Sequence, residues 1–404
     1  MYERNFTMIQ HEKLKDTIQG CNLNFLIGSG VSRPFLPTLG NIEILLTEID
    51  DREDISTEVK KLIRTSLYKK YFDSVIKDNR KILASEPAAN EVLENYKTFL
   101  KAINSVLLKR KLTLLSKEAN LFTTNVDIFL DKALEDLSLE YNDGFNGRFN
   151  PKFSLSNFKK SHFKKSLHYD NTAELPVFNL LKLHGSLSWE IENTNVVFSH
   201  DLAHIQTIEE IAISPDHVLN VPDGATIDTL IADAEGKTSD ATAGAFMDAY
   251  ESLLIVINPT KEKFKHTLMN QTYYELLRLY SNELEKENTV LIVMGFSFAD
   301  EHICEITLRS ANSNPTLIVY VFAHSTEAKE EIEGRFGSTS IKNNNIQVLA
   351  PEQVLDADGV TLNDKYKYDF TTINKAILGK LLEQIDCVDD NVVPVDGATS
   401  ILEE

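Results

Sequence analysis

Cysteine is nearly absent from this 404-residue chain: Cys21, Cys304 and Cys387 are the only three. They lie far apart, form no CxxC pair and cannot build a four-cysteine zinc site or a disulfide framework. No apolar run approaches the roughly 20 residues that span a bilayer. The first twenty residues mix acids, amides and bases and lack the apolar core of a signal peptide, so a cytoplasmic chain with no membrane partner is expected. Basic residues are also scarce. With 41 Lys and Arg against 61 Asp and Glu, the formal charge is −20, and a face that grips nucleic-acid phosphates needs a basic footprint. Local pairs such as Lys159-Lys160 and Lys164-Lys165 do not supply one, so direct nucleic-acid binding is not expected.

What remains is an ordinary globular composition, 42% hydrophobic and 25% charged, with length for two or three packed units at roughly 150 residues each. Residues 8–20 read as a short helix. Leu23-Asn24-Phe25-Leu26-Ile27 then reads as a strand that runs into Gly28-Ser29-Gly30-Val31-Ser32. A glycine turn straight after a buried strand suits close backbone approach to a pyrophosphate. It serves equally as a plain turn, and Arg33 stands where a third glycine would complete the dinucleotide fingerprint. Residues 41–115 show apolar spacing at helical period (Ile42, Leu45, Leu46, Ile49; Leu100, Ile103, Val106, Leu107), with Pro87 dividing the helices.

Ala119-Asn120-Leu121-Phe122 is the second strand. It delivers Thr123-Thr124-Asn125-Val126-Asp127 to its end, where a helix is expected to start near Asp127. These residues are both common helix caps and polar groups of the kind found at ligand sites. Residues 142–175 lack periodicity and read as an excursion or small subdomain. Val177-Phe178-Asn179-Leu180-Leu181-Lys182 is the next strand, and it ends at Leu183-His184-Gly185-Ser186. A histidine at a strand mouth is a candidate base near neutral pH. The polar stretch up to residue 250 reads as a variable insertion. Leu253-Leu254-Ile255-Val256-Ile257 reads as a further strand ending at Asn258-Pro259-Thr260-Lys261, followed by a helix over 267–286. Thr289-Val290-Leu291-Ile292-Val293-Met294 is a strand that ends in Gly295-Phe296-Ser297-Phe298-Ala299-Asp300, with Asp300 opening a helix. Strands over 317–322 and 346–349 follow, and the tail from Asp386 is acidic. Apolar strands alternating with helices predict an α/β protein: a doubly wound, Rossmann-like parallel sheet with helical insertions forming a second, smaller domain.

Four strand-end motifs, in order, resemble the sirtuin-like (silent information regulator) family. Gly28-Ser29-Gly30-Val31-Ser32 is similar to its GAGxS loop and Thr124-Asn125-Val126-Asp127 to its QNxD segment. Leu183-His184-Gly185-Ser186 is similar to its LHG motif, and the loop at Gly295 to its later G-x-S loop. The resemblance implies NAD⁺ as substrate. Gly28, Ser29, Gly30 and Ser32 would cradle the diphosphate, with Thr124 also at the dinucleotide, and Gly295 and Ser297 would lie against the adenosine half. Asn125, Asp127 and His184 would be catalytic: Asn125 positions water or the nicotinamide ribose, Asp127 contacts that ribose or the nicotinamide amide, and His184 serves the ribose hydroxyls as base.

Two departures from the family's protein deacylases matter. The paired zinc-ribbon cysteines are absent, so no zinc is expected, and Arg33-Pro34-Phe35-Leu36-Pro37-Thr38-Leu39 replaces the deacylase GIPDFRS string. Both look like the bacterial antiviral-defence branch, which hydrolyses NAD⁺, and the length resembles the subunit encoded beside a HerA-type ATPase. The resemblance thus implies an NAD⁺ glycohydrolase that depletes NAD⁺ in antiphage defence, a homo-oligomer with a HerA-type ATPase as partner protein. The alternatives are an NAD- or ADP-ribose-binding sensor or assembly subunit without turnover, or a protein deacylase. The expected organisation is a Rossmann-like NAD-binding core over 1–40 and 116–350, a helical insertion or cap over 41–115, a variable insertion over 190–250 and a C-terminal extension over 351–404.

Overall fold

The computed structural model describes residues 14–38, 40–110, 114–257, 267–337, 341–351 and 367–379. Residues 8–13 of the expected first helix, Asn258 to Lys261 and the acidic tail lie outside these; residues 14–20 are helical. Among the described residues, seven strands form one parallel sheet. They are β1 (Asn22–Ile27), β2 (Glu118–Thr123), β3 (Glu140–Asn142), β4 (Val177–Lys182), β5 (Thr289–Met294), β6 (Leu317–Phe322) and β7 (Ile346–Leu349). Their order across the sheet is β7-β6-β5-β1-β2-β4-β3, every pairing being parallel. The chain therefore leaves β1 in one direction through β2, and later returns to β1's other side with β5. That reversal is the switch point of a doubly wound, Rossmann-like sheet.

Side chains alternate across a strand, and each face is covered. Phe25, Ile27, Leu121 and Leu180 point into one apolar core. Leu26, Phe122, Leu181 and Val293 point into the other. The first core is closed by α1 (Ile42–Asp51), α2 (Thr57–Tyr71), α3 (Pro87–Leu108) and α4 (Phe129–Asp136). Of the insertion helices α5 (Ala203–Glu209), α6 (Ile227–Ala234) and α7 (Ala241–Leu253), α6 packs against α1 and α2, α7 against α2 and α5 against α7, and they contribute Leu230, Phe246 and Ile205 to the same core. Both insertions thus build one helical unit, whose core is continuous with that face of the sheet. Pro87 sits in the first turn of α3, where its missing N–H costs no helical bond. The second core is closed by α8 (Thr267–Leu284), α9 (Glu301–Ser313) and α10 (Thr326–Phe336). Within 142–198, short strands form a four-stranded antiparallel sheet and residues 162–175 a two-stranded one.

One expectation needs correction. Leu253 closes helix α7 and the residues after it do not join the parallel sheet. One antiparallel bridge, Val256 to Gly185, is what this segment makes. The run is apolar because it lies between the cores: Leu254 and Val256 enter one and Ile255 the other. Helix α4 begins at Phe129, two residues past Asp127 as expected, with Phe129, Leu130 and Ala133 buried. Its N-cap position is Ile128, although the Asp127 carboxylate still accepts from the Phe129 N–H at 3.2 Å.

A polar feature crosses the sheet interior. Asn24, Asn120, Asn179 and Asn142 stand in register on four neighbouring strands. Asn120 Nδ2 donates to Asn24 Oδ1 (2.8 Å), Asn179 Nδ2 to Asn120 Oδ1 (2.9 Å) and Asn142 Nδ2 to Asn179 Oδ1 (2.9 Å). A one-residue slip of any strand turns its asparagine to the opposite apolar face, so the ladder fixes the pairing.

Candidate functional site

The loops after β1 and β5 meet at the switch point, where open α/β sheets place their ligands. They meet backbone to backbone. Gly28 N–H donates to the Met294 carbonyl (3.0 Å) and Gly30 N–H to the Gly295 carbonyl (2.9 Å). A Cβ on Gly28 would stand 2.4 Å from the Gly295 carbonyl oxygen, and one on Gly295, at φ +61°, 2.6 Å from the Val31 nitrogen. Glycine at these positions is demanded by the contact between the loops, and the two amides are used there rather than turned toward a ligand. Ser29 opens the short 3-10 turn Ser29–Ser32. Ser29 and Gly30 are half-buried, Ser32 is buried and Ser297 is exposed. The Ser297 carbonyl accepts from Arg335 at 2.6 Å.

Beneath this contact lies a buried polar cluster. Ser32 Oγ donates to Asp127 Oδ2 at 2.6 Å. That commits the serine's one proton, so the Tyr96 hydroxyl, 2.9 Å away, is the donor to Ser32. Asn125 Nδ2 donates to the Gly28 carbonyl at 3.1 Å and to Ser32 Oγ at 3.3 Å. Because a carbonyl only accepts, this contact fixes which amide atom is nitrogen. Asn125 Oδ1 is then a buried acceptor without a protein partner among the described residues. Burial pushes the Asp127 carboxyl above its ordinary range against the opposing pull of Lys182, Ser32 and the Phe129 amide. Burial, and then the Asp127 charge, raise the Tyr96 phenol well above its own. Tyr96 comes from the helical insertion and is held by stacking on Phe129, with ring centres 5.3 Å apart. Thr124 is half-buried, and its amide donates to the Ile27 carbonyl.

His184 follows β4 at a turn made by Gly185, whose φ is +78°. The residues after α7 clamp this turn: Ile257 N–H donates to the His184 carbonyl (2.8 Å) and Ser186 N–H to the Ile255 carbonyl (3.2 Å). The ring reaches Asp300, with Nε2 3.0 Å from Oδ2. Asp300 also caps α9, Oδ1 accepting from the Ile303 N–H at 3.0 Å. Burial works against the Asp300 carboxylate, but the hydrogen bond and charge of His184, the Ile303 amide and His302 outweigh it and hold its pKa below the ordinary range. β5 and β4 are separated in the sheet by β1 and β2. The His184–Asp300 bond therefore joins loops that leave strands about 14 Å apart at ordinary strand spacing, spanning the ends of the two strands that carry Gly28 and Asn125. Lys182, at the end of β4, is buried. Its Nζ meets Asp131 Oδ2 (2.6 Å), the Asp127 carbonyl (2.5 Å) and Ser186 Oγ (3.0 Å).

Gly28, Ser32, Asn125 and Asp127 thus form one hydrogen-bonded cluster, Gly30 and Gly295 the loop contact beside it, and His184 a separate pair with Asp300. Among the described residues, the Thr124, Ser29 and Ser297 side chains make no hydrogen bond to either group. Sequence reading missed Tyr96, whose position in an apolar helical stripe hides its hydroxyl. It missed Lys182, which looked like the polar end of a strand, and it took Asp300 only as a helix opener. Among the described residues no group of His, Cys, Asp and Glu is arranged to hold a metal ion, and no helix is long and apolar enough to cross a membrane. No protein-family model and no curated protein matches the chain.

Proposed function

We propose that the chain is an NAD⁺ glycohydrolase, converting NAD⁺ and water to nicotinamide, ADP-ribose and a proton, and serving antiphage defence by depleting NAD⁺. The observation that carries this reading is the unpartnered Asn125 Oδ1, buried beside Gly28 and Ser32 where the first two motifs meet. A buried acceptor in a native protein needs a donor. A water or a sugar hydroxyl supplies one, and both take part in this hydrolysis.

In this mechanism Asn125 holds the attacking water through Oδ1, while Ser32 and Tyr96 hold Asn125 in place. The C–N bond to nicotinamide breaks, and the nicotinamide leaves with the electron pair on its ring nitrogen. Positive charge develops on the ribose, and the fixed carboxylate of Asp127 sits near the same cluster to favour it. Water adds, and its proton passes to His184 directly or through a ribose hydroxyl. General acid–base assistance of this kind contributes about 10²–10⁴-fold. Assembly into a homo-oligomer, and control by a HerA-type ATPase encoded alongside, belong to the same proposal.

The test is nicotinamide release from NAD⁺ by the purified full chain, alone and with the protein encoded next to it. Folded Asn125→Ala and His184→Ala variants serve as controls. Release by the wild type that both variants lose is the expected result. Wild-type turnover in both variants overturns the assignment, and ADP-ribose binding without release under either condition replaces it with the sensor reading.

A further inference from the structure

We infer that Asp300 is a positioning residue: it holds the His184 imidazole with its proton on Nε2, so that Nδ1 is the nitrogen that accepts a proton. The inference rests on the reading of His184 as the base. A carboxylate has only acceptors, so the 3.0 Å contact is a donation from Nε2. A neutral imidazole with Nε2 protonated has its lone pair on Nδ1.

Both partners are anchored independently of each other. The Asp300 backbone and Oδ1 are fixed at the start of the thirteen-residue helix α9. The His184 backbone is fixed by Gly185 and the Ile257 N–H. The two residues are 116 positions apart and leave strands that are not neighbours, so sheet pairing does not force them together. Each side chain is about one-fifth exposed, at 19% and 20%. A cap needs one oxygen, and serine, threonine or asparagine supplies it as well as aspartate does. What aspartate adds is the second oxygen, and that one faces the imidazole. The other titratable groups that sense Asp300 are His302 and Cys304 on α9 and Tyr273 and Tyr280 on α8.

Asp300→Asn separates the two roles. The amide oxygen still caps Ile303, while the amide NH₂ now faces Nε2 and obliges that nitrogen to accept, moving the ring proton to Nδ1. Asp300→Ser keeps a capping oxygen but is too short to reach the ring. The readouts are the imidazole ¹⁵N shifts of His184, assigned by comparison with His184→Gln, and kcat and KM for nicotinamide release from NAD⁺. The expected result is an Nε2–H ring in the wild type and an Nδ1–H ring in Asp300→Asn. With it go a fall in kcat of about 10²–10⁴-fold in both variants and little change in KM.

A wild-type ring protonated on Nδ1 overturns the inference, as does an Asp300→Asn protein with wild-type kcat. If the wild type releases no nicotinamide, the hydrolase reading fails by itself. The ¹⁵N shifts then still decide whether Asp300 sets the tautomer.

Discussion

Replacing Gly185 by alanine tests how the His184 turn is built. The residue sits at φ +78°, a region that costs an L-residue about 1–2 kcal/mol. The added Cβ would also stand 2.1 Å from the Ile255 carbonyl oxygen and 3.1 Å from the Val256 Cα. Both are backbone atoms, which cannot swing aside as a side-chain tip would, so the segment at 254–257 must shift by about an ångström or more. That shift breaks the clamp on the turn, two hydrogen bonds worth about 1 kcal/mol each. The whole cost is about 3–4 kcal/mol. An internal control separates the parts, because Gly224 has φ +80° with no atom within 4 Å of its ideal Cβ. Gly224→Ala therefore carries the conformational cost alone, about 1–2 kcal/mol. Urea denaturation followed by far-UV circular dichroism should give Gly185→Ala at least about twice the loss of Gly224→Ala. Equal losses would refute the clamp.

Asn179→Ala removes the central rung of the asparagine ladder. It leaves Asn120 Oδ1 without its donor, while Asn142 keeps the Lys160 carbonyl. A loss of about 1–3 kcal/mol is expected, and none would mean that water replaces the rung. Asp143 is pushed up to about 6, chiefly by burial and further by the Asp131 charge. Its folded-state pKa lies above the unfolded one, so its contribution to stability is present below about pH 4 and is lost as pH rises through about 6. Asp143→Asn, which still accepts from the Phe145 N–H, should raise stability at pH 7.5 by about 1–3 kcal/mol and leave it unchanged at pH 4. Thermal unfolding at the two pH values checks the sign.

The strands were legible in the sequence where burial on both faces makes a continuous apolar run, as in Val290 to Met294. The same signal misled at Leu253 to Ile257, because a run records burial and not membership of a sheet, and these residues are buried between two cores. The short β3, Glu140–Asn142, has no such run. At the site, the residues that end strands were visible because the chain must turn there, which is why His184, Asn125 and the glycines could be named. Their partners were not. Tyr96 arrives from a helix that packs onto the site only in three dimensions. The ladder is a single asparagine in each of several strands until the register brings them side by side. Asp300 was read correctly as a cap, but a cap shows one oxygen of the carboxylate and gives no hint of what the other meets.

The central position of β1 also has a consequence for how this chain is made. Its partner on one side, β2, follows within the first third of the sequence, but 266 residues separate Asn24 from the Val290 carbonyl it meets on the other side. At about 5–20 residues per second, a ribosome needs roughly 10–50 s to deliver that partner. Until then β1, which is buried along nearly its whole length in the finished sheet, presents an open edge, the kind of surface that recruits foreign strands. The helices of the first half emerge during this interval and can cover one face of β1, but they cannot cover its edge. Shortening the exposure, by faster synthesis or by a chaperone that holds the nascent edge, should raise the yield of folded protein more than stabilising the finished molecule would.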